Sequence, residues 1–122
     1  MAISPYALTH NISCRLTMTA SGEITQCRFV GFDGAQATVL GQICFGVAEM
    51  AALDTEDFPV AVSGIAVVEA GAAVAVGDAI TTSATGKAVV AAASQQILGR
   101  AMSAAAADGE FIQISLDKEG AA

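Results

Sequence analysis

Apolar and polar residues alternate without a break from residue 12 to 19. Ile12, Cys14, Leu16 and Met18 fall on one side; Ser13, Arg15, Thr17 and Thr19 fall on the other. Successive side chains of an extended chain point to opposite faces, so this pattern predicts a half-buried strand. Ser21-Gly22 predicts a turn, and residues 25–32 a second strand. Asp33-Gly34 predicts a type I′ hairpin turn, whose two central positions need positive φ. Residues 36–48 read as a third strand, bent or bulged at Gly41 and Gly46. Residues 49–57 form an acidic loop with room for one helical turn. Strand material resumes at 58–71, and 72–92 reads as three short strands with two turns between them. Residues 94–102 predict a strand, the alanine run after it a short helix or loop, and 110–117 a final alternating strand. Residues 1–11 have no period and predict an N-terminal arm, 12–117 one β-rich domain, and 118–122 a frayed tail.

One stretch echoes another. GVAEMAALDTEDFPVAV (46–62) and GRAMSAAAADGEFIQIS (99–115) each run Gly-x-Ala, an alanine pair, an acidic turn, Phe, then an apolar or alternating strand. The layout predicts two similar β-units packed about an approximate symmetry axis. Many short strands with frequent turn signals define the fold class as mainly β. The expected architecture is a single-domain barrel or sandwich with at most one or two short helices.

The apolar stretch 58–77 is long enough to be tested as a membrane span. It contains Pro59, Glu69 and three glycines and lacks cationic flanks, so it reads as buried strands with a turn. The N-terminus has no cationic start and no apolar run, so no signal peptide is expected.

Composition sharpens this picture. Hydrophobic residues make up 54% of 122 residues, yet aromatic residues only 5% and Trp is absent. The apolar mass is mostly Ala and Val, which gain little per residue at about 25 cal/mol per Å² buried. Such a chain gains from burying further surface against copies of itself. The formal charge is −7, and Arg15, Arg28, Lys87, Arg100 and Lys118 are scattered. Nucleic acids and anionic membranes are bound through basic patches, so neither partner is expected.

The candidate chemistry is thin. SATGK (83–87) resembles half of a phosphate-binding loop. The strict motif needs Gly where Thr81 stands and a hydroxyl where Ala88 stands, so Gly86-Lys87 reads as a turn with its lysine in water. His10 is the only histidine and lies in the arm, a poor place to hold a catalytic base. Asp54, Glu56 and Asp57 sit together in a solvated loop. Cys14, Cys27 and Cys44 have no CxxC spacing and read as buried, reduced thiols of a cytosolic protein rather than zinc ligands. No catalytic set, cofactor or metal is expected. Two alternatives stand beside this: another β-rich assembly protein of a phage or other surface, or a carrier role, since VEAGAAVAVGDAI (68–80) resembles biotin- and lipoyl-carrier domains, with Lys87 as the modified hairpin-tip lysine. The Gly-Lys-Ala context departs from the Met-Lys-Met or Asp-Lys-Ala of those domains.

Taken in order, GIA (64–66), AGAAVAVGD (70–78), SATGKA (83–88), ILGRAM (97–102) and GEFIQISL (109–116) resemble a known family. It is that of the small capsid-cement, or head-decoration, proteins of tailed bacteriophages. The resemblance covers a little over half the chain, and residues 1–45 match only in general style. It implies a β-rich, non-enzymatic virion protein made in the host cytoplasm. It further implies a homotrimer on the outer face of the expanded capsid, stabilising the shell through the major capsid protein. In such proteins an N-terminal arm often contacts the shell, and the arm residues it points to here are Ile3, Pro5, Tyr6 and Leu8.

Overall fold

The structure, a computed structural model, describes residues 11–122 and builds them from strands and turns. Eight strands follow in chain order: β1 (Asn11–Thr19), β2 (Phe29–Val30), β3 (Gly46–Ala48), β4 (Asp57–Glu69), β5 (Ala79–Thr82), β6 (Ala88–Val90), β7 (Gln96–Ala101) and β8 (Phe111–Ala121). All strand pairs are antiparallel, and the sheet runs β2-β3-β4-β8-β7-β5-β6 with β1 on β4.

The longest strand, β4, organises the rest. Along one edge it carries β1, from Asp57 to Ile65. Val60 and Ala61 also pair with β3, and Gly64 and Ile65 also pair with β8, so β3 and β8 share the opposite edge in succession. The far end of the sheet then returns toward its beginning. Phe29 donates its N–H to the Gly86 carbonyl at 2.8 Å, and Ala70 forms a parallel bridge with Ala88. The result is a nearly closed barrel. Its interior holds Phe29, Val47, Val68, Ile80, Ile112 and Ile114. A smaller cluster of Ile24, Val30, Phe58 and Val60 lies beside it. Full burial of a side chain such as Ile112 stabilises by about 1.5–3 kcal/mol.

The echo in the sequence is a duplication in the structure. Thr19 pairs with Asp57 and Leu16 with Val60; Glu69 pairs with Phe111 and Ala66 with Ile114. Phe29 and Val30 face Val47 and Gly46; Ala79 and Ile80 face Arg100 and Gly99. The lone bridge Ile24–Ala52 recurs as Val74–Ala105. Positive φ recurs too. Cys27 (φ 66°) and Gly77 (φ 89°) donate their N–H groups to the carbonyls of Ala48 and Ala101, both at 2.8 Å. Thr55 (φ 71°) and Gly109 (φ 94°) do the same toward Ala20 and Ala70, both at 2.9 Å. One motif is thus built twice, and β4 is the last strand of the first copy and the first strand of the second.

Several expected strands are shorter than the sequence pattern suggests. Of 25–32 only Phe29–Val30 is a strand, and of 36–48 only Gly46–Ala48. The Gln42 side chain accepts the N–H groups of Thr38 and Val39 at 3.0 and 2.9 Å, and Gly41 has φ 81°. That local capture makes a turn where the apolar run reads as a strand. The reversal at Asp33-Gly34 exists, but Val30 bridges Gln36 and only Gly34 has positive φ. It is therefore a longer loop than a type I′ turn. The acidic loop and the alanine run contain turns and single bridges and no helix. The segment 72–76 contributes only the bridge at Val74. Strand β8 continues through Ala121, past the point where alternation ends. Strand β1 forms where expected, but Cys14 is exposed and Leu16 is 49% exposed, because β1 sits on the rim of the sheet.

Gly46 and Gly99 occupy matching places in the two copies. A Cβ on Gly46 would overlap the Ala61 carbonyl oxygen, and one on Gly99 the Ser115 carbonyl oxygen. Neither has positive φ, so the requirement is for space. Gly46→Ala and Gly99→Ala are each expected to lower stability by about 1–3 kcal/mol, through a strand forced off its neighbour. Urea unfolding midpoints check this; midpoints equal to the wild type's contradict it.

Candidate functional site

The arm residues Ile3, Pro5, Tyr6 and Leu8, and His10, lie outside the described residues. What the structure places is the surroundings of Lys87, the acidic loop, the cysteines and the exposed apolar surface.

The turn before Lys87 is closed on itself. Ser83 donates its N–H to the Lys87 carbonyl at 2.8 Å, and the Ser83 carbonyl accepts the Gly86 N–H at 3.2 Å. The Ser83 hydroxyl oxygen accepts the N–H groups of Thr85 and Lys87. The backbone donors that a phosphate would need are therefore engaged within the turn. Gly86 has φ 82°, as the corner requires.

Lys87 itself is not in open water: its side chain keeps 19% exposure, and its Nζ lies 2.9 Å from Asp108 and 3.4 Å from Glu69. Glu69 also holds Arg28 at 3.3 Å, and Arg28 donates to the Thr85 carbonyl. The four charges Arg28, Glu69, Lys87 and Asp108 form a clasp across the seam where the barrel closes. The hydrogen bond to Asp108 raises the Lys87 amine above its ordinary value, outweighing the opposing effect of burial. The same bond lowers the Asp108 carboxyl. A lysine that carries a cofactor needs a free amine at a hairpin tip. This one is paired with two carboxylates, against the expectation of a lysine in water.

The acidic loop holds no converging acid–base pair. Asp54 accepts the Gly22 N–H, Glu56 the Leu53 N–H, and Asp57 the Thr19 hydroxyl, at 2.9, 2.7 and 2.7 Å. Glu56 fixes its own turn, Asp54 ties the loop to the turn at Gly22, and Asp57 ties the start of β4 to the end of β1. Beside them lies an open groove of about 390 Å³ floored by Ile24 and Ala52 and rimmed by Glu23 and Glu56. Among the described residues no group of three His, Cys, Asp or Glu side chains could hold a metal. Cys27 and Cys44 are buried, and burial pushes their thiols up to about 11 and about 12. Cys14 departs from the expected burial because both faces of β1 are largely open.

Sequence reasoning missed one surface. Phe32, Val39, Leu40 and Ile43, on the loop between β2 and β3, are each more than half exposed. The loop is held rigidly all the same. Gly41 donates its N–H to the Thr82 carbonyl at 3.0 Å, and its own carbonyl accepts the Gln96 N–H at 3.1 Å. Val39 and Leu40 are thereby presented to solvent on a pinned turn. The signal was the apolar run around Gly41, which the strand reading absorbed.

The profile of the phage cement protein family matches residues 8–116. No curated protein shows significant similarity to the chain. Among solved structures, the head fiber gp8.5 N base of bacteriophage phi29 superposes with a TM-score of 0.70 at 20% identity. The match covers 85% of this chain and 93% of that one. At that identity the likeness shows a shared fold.

The seam makes a pH prediction. Asp108 has a lowered folded-state value, so its contribution is present above the ordinary 3.8 and is lost as pH falls through the folded value. Lys87 has a raised one, so its contribution holds below 10.5 and is lost as pH rises through the folded value. The stability gap between the wild type and Asp108→Asn is expected to be constant near neutral pH and to close on strong acidification. Denaturant midpoints from pH 2 to 8 check this; a gap that widens on acidification contradicts it.

Proposed function

The chain belongs to the phage cement protein family, and we propose that it acts as a homotrimer on the outer surface of a tailed-phage capsid, where it stabilises the expanded shell. The observation that carries this reading is the family match across residues 8–116. The physical features are consistent with it. The chain is acidic, with no cluster of basic residues for nucleic acid. The polar side chains of its acidic loop and seam are engaged in holding turns and strands, which suits a structural and non-enzymatic role.

The proposed mechanism is multivalent. Each copy makes a modest apolar contact with the major capsid protein through Ile3, Pro5, Tyr6 and Leu8 of the arm. Three such contacts on one trimer give a hold far tighter than one. Selectivity for the expanded shell follows if only that state brings the contacted subunits to the spacing of the three arms. The protein would be made in the bacterial cytoplasm, where its thiols stay reduced. A carrier role has less support, because Lys87 is held in the seam.

Co-sedimentation with undecorated heads of the phage or prophage that encodes the chain tests this. Binding to expanded heads and not to unexpanded ones is expected. Combined replacement of Ile3, Tyr6 and Leu8 by Ala is expected to weaken binding by at least about tenfold, with the thermal midpoint unchanged. Absence of binding to expanded heads overturns the reading.

A further inference from the structure

The groove beside the acidic loop joins two kinds of surface. Ile24 and Ala52 form its floor, and Leu53, 61% exposed, stands at its side. Glu23 and Glu56 form its rim. Glu56 is tied through one oxygen to the Leu53 N–H. The Glu23 carboxylate has neither an ion pair nor a hydrogen bond among the described residues. The backbone is open there as well. Ile24 and Ala52 exchange two N–H···O bonds, of 2.8 and 3.1 Å. Residues flanking such a pair direct their N–H and C=O groups away from the ladder. Of these, Glu23 and Ala51 make no hydrogen bond to another described residue.

Charge decides what fits this groove. The chain carries −7, and Arg15, Arg28, Lys87 and Arg100 are each engaged by a carboxylate of their own chain. Lys118 is flanked in the chain by Asp117 and Glu119, and residues 1–10 hold no Lys or Arg. A second copy would therefore bring carboxylates to a rim of carboxylates, and the chain's own arm has no cationic side chain of that kind to offer. The complement is a basic and apolar segment of a different protein. We propose that the groove takes an extended segment of the major capsid protein, with an apolar side chain over Ile24 and Ala52 and a neighbouring Lys or Arg against Glu23. The inference rests on the capsid reading above and adds a second contact, on the barrel rather than on the arm. Main-chain groups at Glu23 and Ala51 supply hydrogen bonds to the segment, and the groove and its carboxylate select the side chains.

The test is co-sedimentation of the full chain and its variants with expanded heads of the phage or prophage that encodes it. Glu23→Lys reverses a carboxylate that holds no turn, and Ala51→Trp obstructs the groove without changing charge. Each is expected to raise the concentration that half-saturates the heads by at least about tenfold, with the thermal midpoint of the wild type. Asp117→Lys makes the same charge change at an exposed position of β8 and is expected to bind as the wild type does. Added salt is expected to narrow the advantage of the wild type over Glu23→Lys. Benzoylphenylalanine in place of Ala51 is expected to photo-cross-link to a capsid-protein peptide that contains Lys or Arg, and this readout serves if Ala51→Trp does not fold. Folded Glu23→Lys that binds as tightly as the wild type, or cross-links only to peptides of the chain itself, overturns the groove contact and leaves the capsid reading standing. A wild type that does not bind expanded heads overturns both.

Discussion

Strand β4 belongs to two motifs at once, and most of the architecture follows from that. Its first half must pair with β1 and β3, and its second half with β8, along one continuous backbone. Three neighbours on one strand leave little lateral room. Gly46 and Gly99 lie where a Cβ would strike the next strand, and Gly64 (φ 99°) packs against the backbone of Asn11, Ile12 and Ser13. The shared strand also explains the small residues of the core. Ala61 and Ala66 lie in the barrel core on the shared strand, where larger side chains would overfill the interior.

The two copies are not equal, and the inequality closes the barrel. The second copy carries the β5–β6 hairpin, whose tip reaches back to β2. It also carries Asp108 in a turn one residue longer than its counterpart in the first copy, and this carboxylate completes the clasp with Lys87. Arg28 and Glu69 supply the other side. An ion pair in water contributes little, but at a seam where Arg28, Glu69 and Lys87 are about four-fifths covered, though Asp108 is largely exposed, its hydrogen bonds also fix register. The first copy spends its corresponding residues on the loop between β2 and β3, pinned at Gly41, which leaves Val39, Leu40 and Ile43 facing outward.

The sequence was most legible where a strand is long and lies within the sheet. Alternation at 110–117 and the apolar run at 58–71 become β8 and β4. The echo between 46–62 and 99–115 marks the duplication, although its extension into 20–30 and 70–80 is hidden because Ala20 and Ala70 are one identity in an Ala-rich chain, while Ile24 matches Val74 and Val30 matches Ile80 by class alone. The pattern misled where side chains compete with the ladder. Gln42 captures two backbone N–H groups and ends a strand that hydropathy would continue. The alternation of β1 gave the element but not its exposure, since period reports which residues share a face and not whether that face is covered. Lys87 was misplaced because its partners, Glu69 at the end of β4 and Asp108 in the turn before β8, are distant in the chain.

The functional account joins a family membership to a physical picture, an acidic and nearly closed barrel, and to the proposal that copies of it are held on the shell through the N-terminal arm. Its central claim is the place of the protein on the virion. Electron cryomicroscopy of expanded heads carrying the protein tests that most directly. The account predicts three-chain density on the outer surface at threefold or quasi-threefold positions, with each barrel bridging neighbouring capsid subunits. Density confined to the shell interior or to the tail, or heads with none, would contradict it.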